Sequence, residues 1–242
     1  MEHGKLIDTI NQLNAIGMGL ATTPTMSVAE QIHSIAAHLA GSTNVISIDY
    51  LLVSTANQAY ALRQLGNYRA AQRNLNSALG QPELIPERIK SYGGRGRVYE
   101  ELGLVTADMP LPQDEPVPTK IRNIQIGLSH FEKAIEDYDQ ALVNLSAEIY
   151  TPAQLTQRRL RTIGMRAPKA RDLFELVSDE PEKKEWIGKA VEYATQEVQE
   201  REKLGETQGQ NLANAYHSLG QALTETVAFT PENYERTKET FD

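Results

Sequence analysis

The most regular pattern of hydrophobic positions lies between residues 124 and 145. Apolar side chains recur there at alternating steps of four and three, which places them on one face of a helix for about six turns. The positions are Ile124, Leu128, Phe131, Ile135, Tyr138, Leu142 and Leu145. Charged and amide side chains occupy the opposite face, as expected of a surface in contact with water. The pattern predicts a long amphipathic helix.

Other segments show the same helical spacing, and none alternates apolar and polar residues in the way of a half-buried strand. Their apolar faces span residues 6–16, 48–62, 68–79, 187–198 and 212–227. Helix starts are predicted where a capping side chain, with or without a following proline, precedes such a face. These starts are Ser27, Thr151-Pro152, the run from Ser178 to Pro181, and Thr230-Pro231. We predict an all-α chain of about eleven helices without a sheet.

Most of the predicted connections are short. Gly66-Asn67 and Ala167-Pro168 leave room only for tight turns, so the helices on either side of each should form antiparallel hairpins. The exception is LVTADMPLPQDEPVPT, residues 104–119, which contains four prolines and no basic residue. We expect it to leave the helix and run extended over the surface. It would serve as a rigid spacer, as a ligand for an aromatic-lined groove, or as a lid over a groove of this chain.

Three segments carry a recurring pattern of small and aromatic residues. They are LRQLGNYRAAQRNLNSAL (62–79), HFEKAIEDYDQAL (130–142) and LANAYHSLGQAL (212–223). Alanine and glycine let two helix backbones approach each other, and an aromatic ring one turn away fills the space that remains. The pattern resembles the tetratricopeptide repeat, a helix hairpin of roughly 34 residues with Leu-Gly-x-x-Tyr in its first helix and Ala-x-x-x-Phe in its second.

The glycine-rich stretch SYGGRGRVYEELG, residues 91–103, fits the same pattern. Gly96, Tyr99 and Gly103 have the spacing of Ala213, Tyr216 and Gly220. A phosphate-binding loop would follow a strand and continue into a Lys-Ser/Thr pair, and neither is present. We therefore predict a first helix of a hairpin here, with residues 130–142 in its partner.

The resemblance implies one domain over residues 1–242, built of antiparallel helix hairpins that stack as an α-solenoid with a right-handed superhelix. Residues 1–45 would form N-terminal helices, residues 46–146 the best-matching repeats with the 104–119 insertion, and residues 150–242 further helix pairs. In this family the first helices line a groove that binds a partner peptide. Their polar positions here are Asn57, Tyr60, Arg97, Asn211 and Asn214, which we take as candidate partner-binding residues.

Composition narrows the possible functions. The formal charge of −8 disfavours a surface devoted to nucleic acid or anionic lipid, and the absence of cysteine excludes disulfides and thiolate chemistry. No secretory signal and no membrane-spanning stretch is recognisable, so a cytoplasmic location is expected. Self-association stays open, because terminal helices of repeat arrays pair with a second copy when their outer faces are apolar.

A basic run, QRRLRTIGMRAPKAR, lies at residues 157–171 and contains no acidic residue. Its cations are Arg158, Arg159, Arg161, Arg166, Lys169 and Arg171. Two interpretations are open: pairing with glutamates of adjacent helices, notably those between Asp179 and Glu206, or a docking patch for phosphate or an acidic peptide.

Candidate catalytic and metal-ligand patterns are weak. Glu30 and His33 have the spacing of two metal ligands on one helix face, but no second Glu-x-x-His exists to complete a two-metal carboxylate site. No Gly-x-Ser-x-Gly elbow is present. We therefore predict a non-enzymatic scaffold, without cofactor or metal, that binds a protein or peptide. The alternatives are RNA or phospholigand binding through residues 158–171, or an enzyme built on a helical solenoid.

Overall fold

The computed structural model describes residues 2–42, 48–80, 92–112, 116–145, 149–205 and 209–229. These segments contain nine α-helices and no strand, so the all-α prediction is confirmed. The helices are α1 (Glu2–Gly19), α2 (Met26–Gly41), α3 (Ile48–Gln64), α4 (Tyr68–Leu79), α5 (Tyr92–Ala107), α6 (Val117–Val143), α7 (Pro152–Leu176), α8 (Glu180–Lys203) and α9 (Gln210–Phe229). A single 3-10 turn, Thr23–Thr25, lies between α1 and α2.

Several predicted helix ends agree with the structure. Gly66 adopts a positive φ of 78°, which glycine tolerates without strain, and so closes α3 immediately before α4 begins. Thr151 and Gln154 form a complete capping box at the start of α7. The Asp179 side chain accepts a hydrogen bond from the Glu182 amide and caps α8. Ser27, in contrast, is not a cap, because α2 begins one residue earlier, at Met26.

The predicted turn at Ala167-Pro168 is wrong. Both residues lie inside α7, which continues to Leu176. Proline in a helix interior removes one backbone hydrogen bond and crowds the carbonyl four residues earlier, at a cost of about 3 kcal/mol. The apolar stripe of α7 runs unbroken past this point through Ile163, Ala167, Ala170 and Leu173, all fully buried, and this packing offsets the cost. One long helix therefore replaces two, which lowers the count from the predicted eleven; the helix start predicted at Thr230-Pro231 lies outside the described residues.

The proline-rich connection is shorter than predicted. Residues Leu104–Ala107 complete α5, where all four are buried, and α6 already begins at Val117. Pro118 fits in the first turn of α6, where its missing N–H has no helical partner to lose. The segment between the two helices is thus reduced to residues 108–116, of which the structure describes 108–112 and 116.

Helices α5 and α6 approach closely through glycine, as the resemblance predicted. An added Cβ at Gly96 would lie 2.9 Å from the Tyr138 ring, and one at Gly103 would lie 2.5 Å from the Phe131 ring. Gly127 faces them from α6, where an added Cβ would lie 2.7 Å from the Ala107 Cβ and 2.8 Å from the Gly103 carbonyl oxygen. The two aromatic rings are fully buried in the space that the missing side chains leave.

The helices form an array in which each packs on its neighbours in sequence. Clusters of buried apolar side chains lie between successive helices: one under α1, α2 and α3, another among α3, α4 and α5, and a third spanning α5 to α9. This serial core is what a stacked repeat architecture requires, because each hairpin buries its apolar face against the next.

A buried histidine links α1 to α2. The His33 ring is fully buried, lies 3.1 Å from the Asn14 amide oxygen through Nδ1, and fits against Gly17, where an added Cβ would come within 2.7 Å. Burial, with a smaller contribution from the charge of Arg97, lowers the pKa of His33 from 6.5 to about 4. The folded chain therefore keeps this imidazole neutral.

The lowered pKa predicts an acid-sensitive stability. Between the unfolded pKa of 6.5 and the folded pKa of about 4, the unfolded chain binds a proton that the folded chain does not, so the free energy of unfolding falls as the pH falls. From pH 7 to pH 5 the loss attributable to His33 should be on the order of 1–2 kcal/mol. Urea unfolding of the wild type and of His33→Gln at both pH values measures it. A loss of equal size in His33→Gln would assign the effect to other groups, among them His130, whose pKa is also about 4.

Candidate functional site

The odd-numbered helices form one continuous layer. α1 contacts α3, α3 contacts α5, α5 contacts α7, and α7 contacts α9, in addition to the contacts between sequence neighbours. In hairpin terms these are the first helices, with α2, α4, α6 and α8 as second helices. All five candidate partner-binding residues lie on this layer, two on α3, one on α5 and two on α9.

The layer does not present these five side chains as one surface. Asn57 is buried, and Tyr60 is half-buried with the Arg63 guanidinium 5.6 Å from its ring centroid. Asn214 is exposed and accepts a hydrogen bond of 2.8 Å from Gln210. Asn211 is also exposed and lines a cleft, described below.

Arg97 differs most from its predicted role, because it lies in the interior. Its side chain is 4% exposed and its Nη1 is 2.7 Å from Glu101 and 3.3 Å from Glu100. The same carboxylates have partners on other helices: Arg63 of α3 approaches Glu101 at 3.4 Å, and the Tyr138 hydroxyl of α6 donates a 2.7 Å hydrogen bond to Glu100. Arg97 thus contributes to a buried ionic cluster, and its guanidinium is not exposed to a partner.

The charged groups of this cluster favour one another's ionised forms. Burial alone would raise the pKa of Glu100, but Arg97, Arg158, Arg161 and the Tyr138 hydroxyl outweigh burial and lower it. Burial likewise lowers the pKa of Arg97, and the two adjacent carboxylates outweigh that effect, so the pKa lies above its usual value. Both groups are therefore ionised in the folded chain at neutral pH.

A cleft of about 500 Å³ lies beside this cluster, at the α7–α9 end of the odd-helix layer. It is lined by Ala153, Gln154, Gln157, Arg158 and Arg161 of α7, Arg201 of α8 and Asn211 of α9. Glu197 engages Arg201 by hydrogen bonds of 3.0 and 2.8 Å, which fixes that guanidinium as part of the wall. The cleft's other polar side chains are the guanidinium groups of Arg158 and Arg161 and the carboxamides of Gln154, Gln157 and Asn211.

The predicted basic run is divided by the structure. Arg158 and Arg161 line the cleft, whereas Arg159 pairs with Asp139 and lies 3.0 Å from Glu200. The other three cations point elsewhere. Arg166 is buried against the Tyr193 ring, Lys169 lies 2.7 Å from Asp108, and Arg171 pairs with Glu225. Pairing with acidic residues of neighbouring segments, the first interpretation, therefore accounts for Arg159, Lys169 and Arg171.

Two parts of the site were missed by the sequence patterns. Arg97 with Glu100 and Glu101, and Glu197 with Arg201, have the three- and four-residue spacing of helical ion pairs, which was the available signal. The cleft's carboxamides Gln154 and Gln157 carried no signal, because glutamine on a helix surface is common.

The isolated Glu30-x-x-His33 pattern has a structural explanation. Glu30 accepts a 2.8 Å hydrogen bond from Gln58, and His33 contacts Asn14. In the described segments no group of three His, Asp or Glu side chains is arranged to hold a metal ion. None of the helices seen there is long and apolar enough to cross a lipid bilayer.

Comparison with solved structures identifies the architecture. The chain is similar to the "putative kinesin light chain" of Podosopora anserina with nearly identical TPR-like repeats, at 13% sequence identity and a TM-score of 0.57, over 98% of this chain and 92% of that one. A point variant of the same protein gives 14% identity and a TM-score of 0.58, over 99% and 95%. No protein-family model and no curated protein sequence matches.

At this level of identity the likeness establishes the fold alone. It extends over almost the whole chain, and it agrees with the small-residue packing of α5 on α6 and with the serial contacts of the odd helices. The chain therefore has the fold of the tetratricopeptide-like helical repeat proteins.

Proposed function

We propose that this chain is a non-enzymatic scaffold that binds a peptide segment of a partner protein, and that the cleft between α7 and α9 is its principal contact. The observation that carries the proposal is the cleft itself, where side chains from three helices converge on a polar surface of the odd-helix layer. A helical repeat array supports such a role because its stacked first helices offer an extended surface held rigid by the core.

The cleft has the chemistry that peptide recognition needs. The Asn211 carboxamide both donates and accepts hydrogen bonds, and the Gln154 NH2 group donates them while its oxygen serves the α7 capping box, so the cleft suits backbone N–H and C=O groups alike. The centre of the array exposes fewer side chains to a partner, because α5 is buried almost throughout its length. The proposal therefore moves the main contact from Asn57, Tyr60 and Arg97 to the α7–α9 end, with Asn211 kept and Asn214 adjacent.

Selection from a random-peptide phage library on the full chain tests the proposal. Arg161→Glu should weaken the enriched peptides at least about tenfold, since it reverses a charge at the cleft wall, and Asn211→Ala should weaken them about threefold. Arg73→Glu is the matched control, because Arg73 is exposed on α4, far along the array from the cleft. Peptides that bind all three variants equally well, or a selection that enriches none, would contradict the proposal.

A further inference from the structure

We propose that the cleft binds an oxyanion carried by a peptide, either a carboxylate or a phosphoryl group, and that the buried carboxylate of Glu100 is the internal anion that this ligand replaces at Arg158 and Arg161. The inference rests on the proposed function and names its ligand chemistry.

The two arginines approach Glu100 without forming a close ion pair, and the Arg158 guanidinium also lies over the Tyr150 ring, 5.1 Å from its centroid. Arg158 lies 3.6 Å from one oxygen of Glu100 and Arg161 lies 3.7 Å from the other, both beyond hydrogen-bond distance. Their side chains are 26% and 52% exposed, so they reach from the buried carboxylate into the cleft. Within the described part of the chain, neither guanidinium donates a hydrogen bond to a protein group. They are separated by three residues on α7, which places them one turn apart on the same face.

Glu100 keeps other partners when these arginines leave. Its Oε2 accepts the Tyr138 hydrogen bond, and its Oε1 lies 3.3 Å from Arg97 on the same helix. Oε1 is buried without a hydrogen-bond partner among the described residues, so the present arrangement leaves this carboxylate incompletely satisfied. A ligand that draws Arg158 and Arg161 outward therefore does not leave a buried charge without a counter-ion.

An external oxyanion could form the close contacts to both arginines that Glu100 does not form. A carboxylate or phosphoryl group in the open cleft can approach both guanidinium groups at charge-assisted hydrogen-bond distance, which is about 2.7–2.9 Å. The carboxamides of Gln154 and Asn211 line the same cleft and can hydrogen-bond the backbone on either side of the charged group. The chain's net charge of −8 opposes a polynucleotide, whose many phosphates would meet repulsion outside the cleft.

Fluorescence anisotropy on the full chain tests both halves of the proposal. The labelled probes are hexaglutamate, a Gly-Ser peptide that carries one phosphoserine, the same peptide without the phosphate and therefore neutral, and a single-stranded RNA. We expect one or both anionic peptides to bind and the neutral one not to. Arg161→Gln should weaken that binding about tenfold, as should Arg158→Gln. Glu100→Gln should tighten it about three- to tenfold, because it removes the competing charge and retains an acceptor for Tyr138.

The control for the exchange is an NMR measurement of the arginine side chains in the wild-type chain. Side-chain Nε–H resonances of Arg158 and Arg161 should shift on addition of the anionic peptide while that of Arg97 stays, a result that does not depend on whether Glu100→Gln folds. Unchanged or weaker binding by a folded Glu100→Gln, or unshifted arginine resonances, overturns the exchange. Tighter binding of RNA than of either anionic peptide overturns the peptide assignment. If phage-selected peptides bind in the cleft but contain no acidic or phosphorylated residue, this inference fails while the proposed function stands.

Discussion

Replacing Arg97 by methionine is expected to lower the free energy of unfolding by roughly 3–5 kcal/mol, the range seen when one partner of a buried ion pair is removed. Arg97 lies between two carboxylates that are both fully buried. Without the guanidinium, Glu101 retains Arg63 at 3.4 Å, and Glu100 retains only the more distant arginines of α7 and the Tyr138 hydroxyl. Methionine preserves much of the side-chain volume, so the effect measures the charge.

Urea unfolding at pH 7, followed by circular dichroism, measures this loss. Arg122→Met is the matched control, because Arg122 is exposed on α6 and its replacement should change stability by less than about 0.5 kcal/mol. Adding Glu101→Leu to Arg97→Met should recover part of the loss, since a buried carboxylate is then removed as well. A loss below about 1 kcal/mol in Arg97→Met would show that the buried cluster is solvated and that its charges do not depend on one another.

Gly127→Ala should destabilise the chain by roughly 2–4 kcal/mol, the scale of an overpacked core. The added methyl would lie 2.7 Å from the Ala107 Cβ and 2.8 Å from the Gly103 carbonyl oxygen. Neither atom belongs to a flexible side chain, so α5 and α6 would have to separate. That separation would also loosen the contacts of Phe131 and Tyr138, which fill the space opposite Gly103 and Gly96.

Gly188→Ala separates packing from helix propensity. Gly188 is exposed in the middle of α8 and has no atom within 4 Å of an added Cβ. Alanine there should stabilise the chain by about 0.5–1 kcal/mol, because it favours helix without meeting a neighbour. The same gain at Gly127 would mean that α5 and α6 do not pack through their glycines, and the small-residue explanation of the fold would be lost.

The predictions that succeeded concern features encoded by residues close together in sequence. The helical spacing in α3, α4, α6, α8 and α9, the turn at Gly66 and the capping box at Thr151 all depend on side chains within one or two turns of each other. The pairing of Gly96 and Gly103 with Tyr138 and Phe131 was also predictable, because small and aromatic residues recur at matching intervals in two helices that adjoin in sequence.

The errors share a different cause. Pro168 and the ends of the 104–119 segment were assigned from intrinsic helix propensity, which tertiary packing overrides when the flanking apolar stripe is long enough. Arg97 was placed in a groove because the resemblance puts polar positions of the first helices there, and because a charged residue on a helix is usually exposed. Its counter-ions are Glu100 and Glu101 of the same helix. Helices α3, α6 and α7 complete the buried cluster by supplying further partners to these two carboxylates, from positions 34 to 61 residues away from Arg97.

By itself the sequence determined that this chain is helical, where most of its helices lie, and that alanine, glycine and tyrosine join them as repeat-like hairpins, because periodicity and side-chain size act between near neighbours. Only the tertiary structure decided which polar and charged side chains are buried. It enclosed Arg97 and Glu100, divided the basic run, and brought Arg158, Arg161 and Asn211 to one cleft. The physical reason is that burial and charge pairing are properties of the space between helices, and that space is defined by segments remote from each other in the chain.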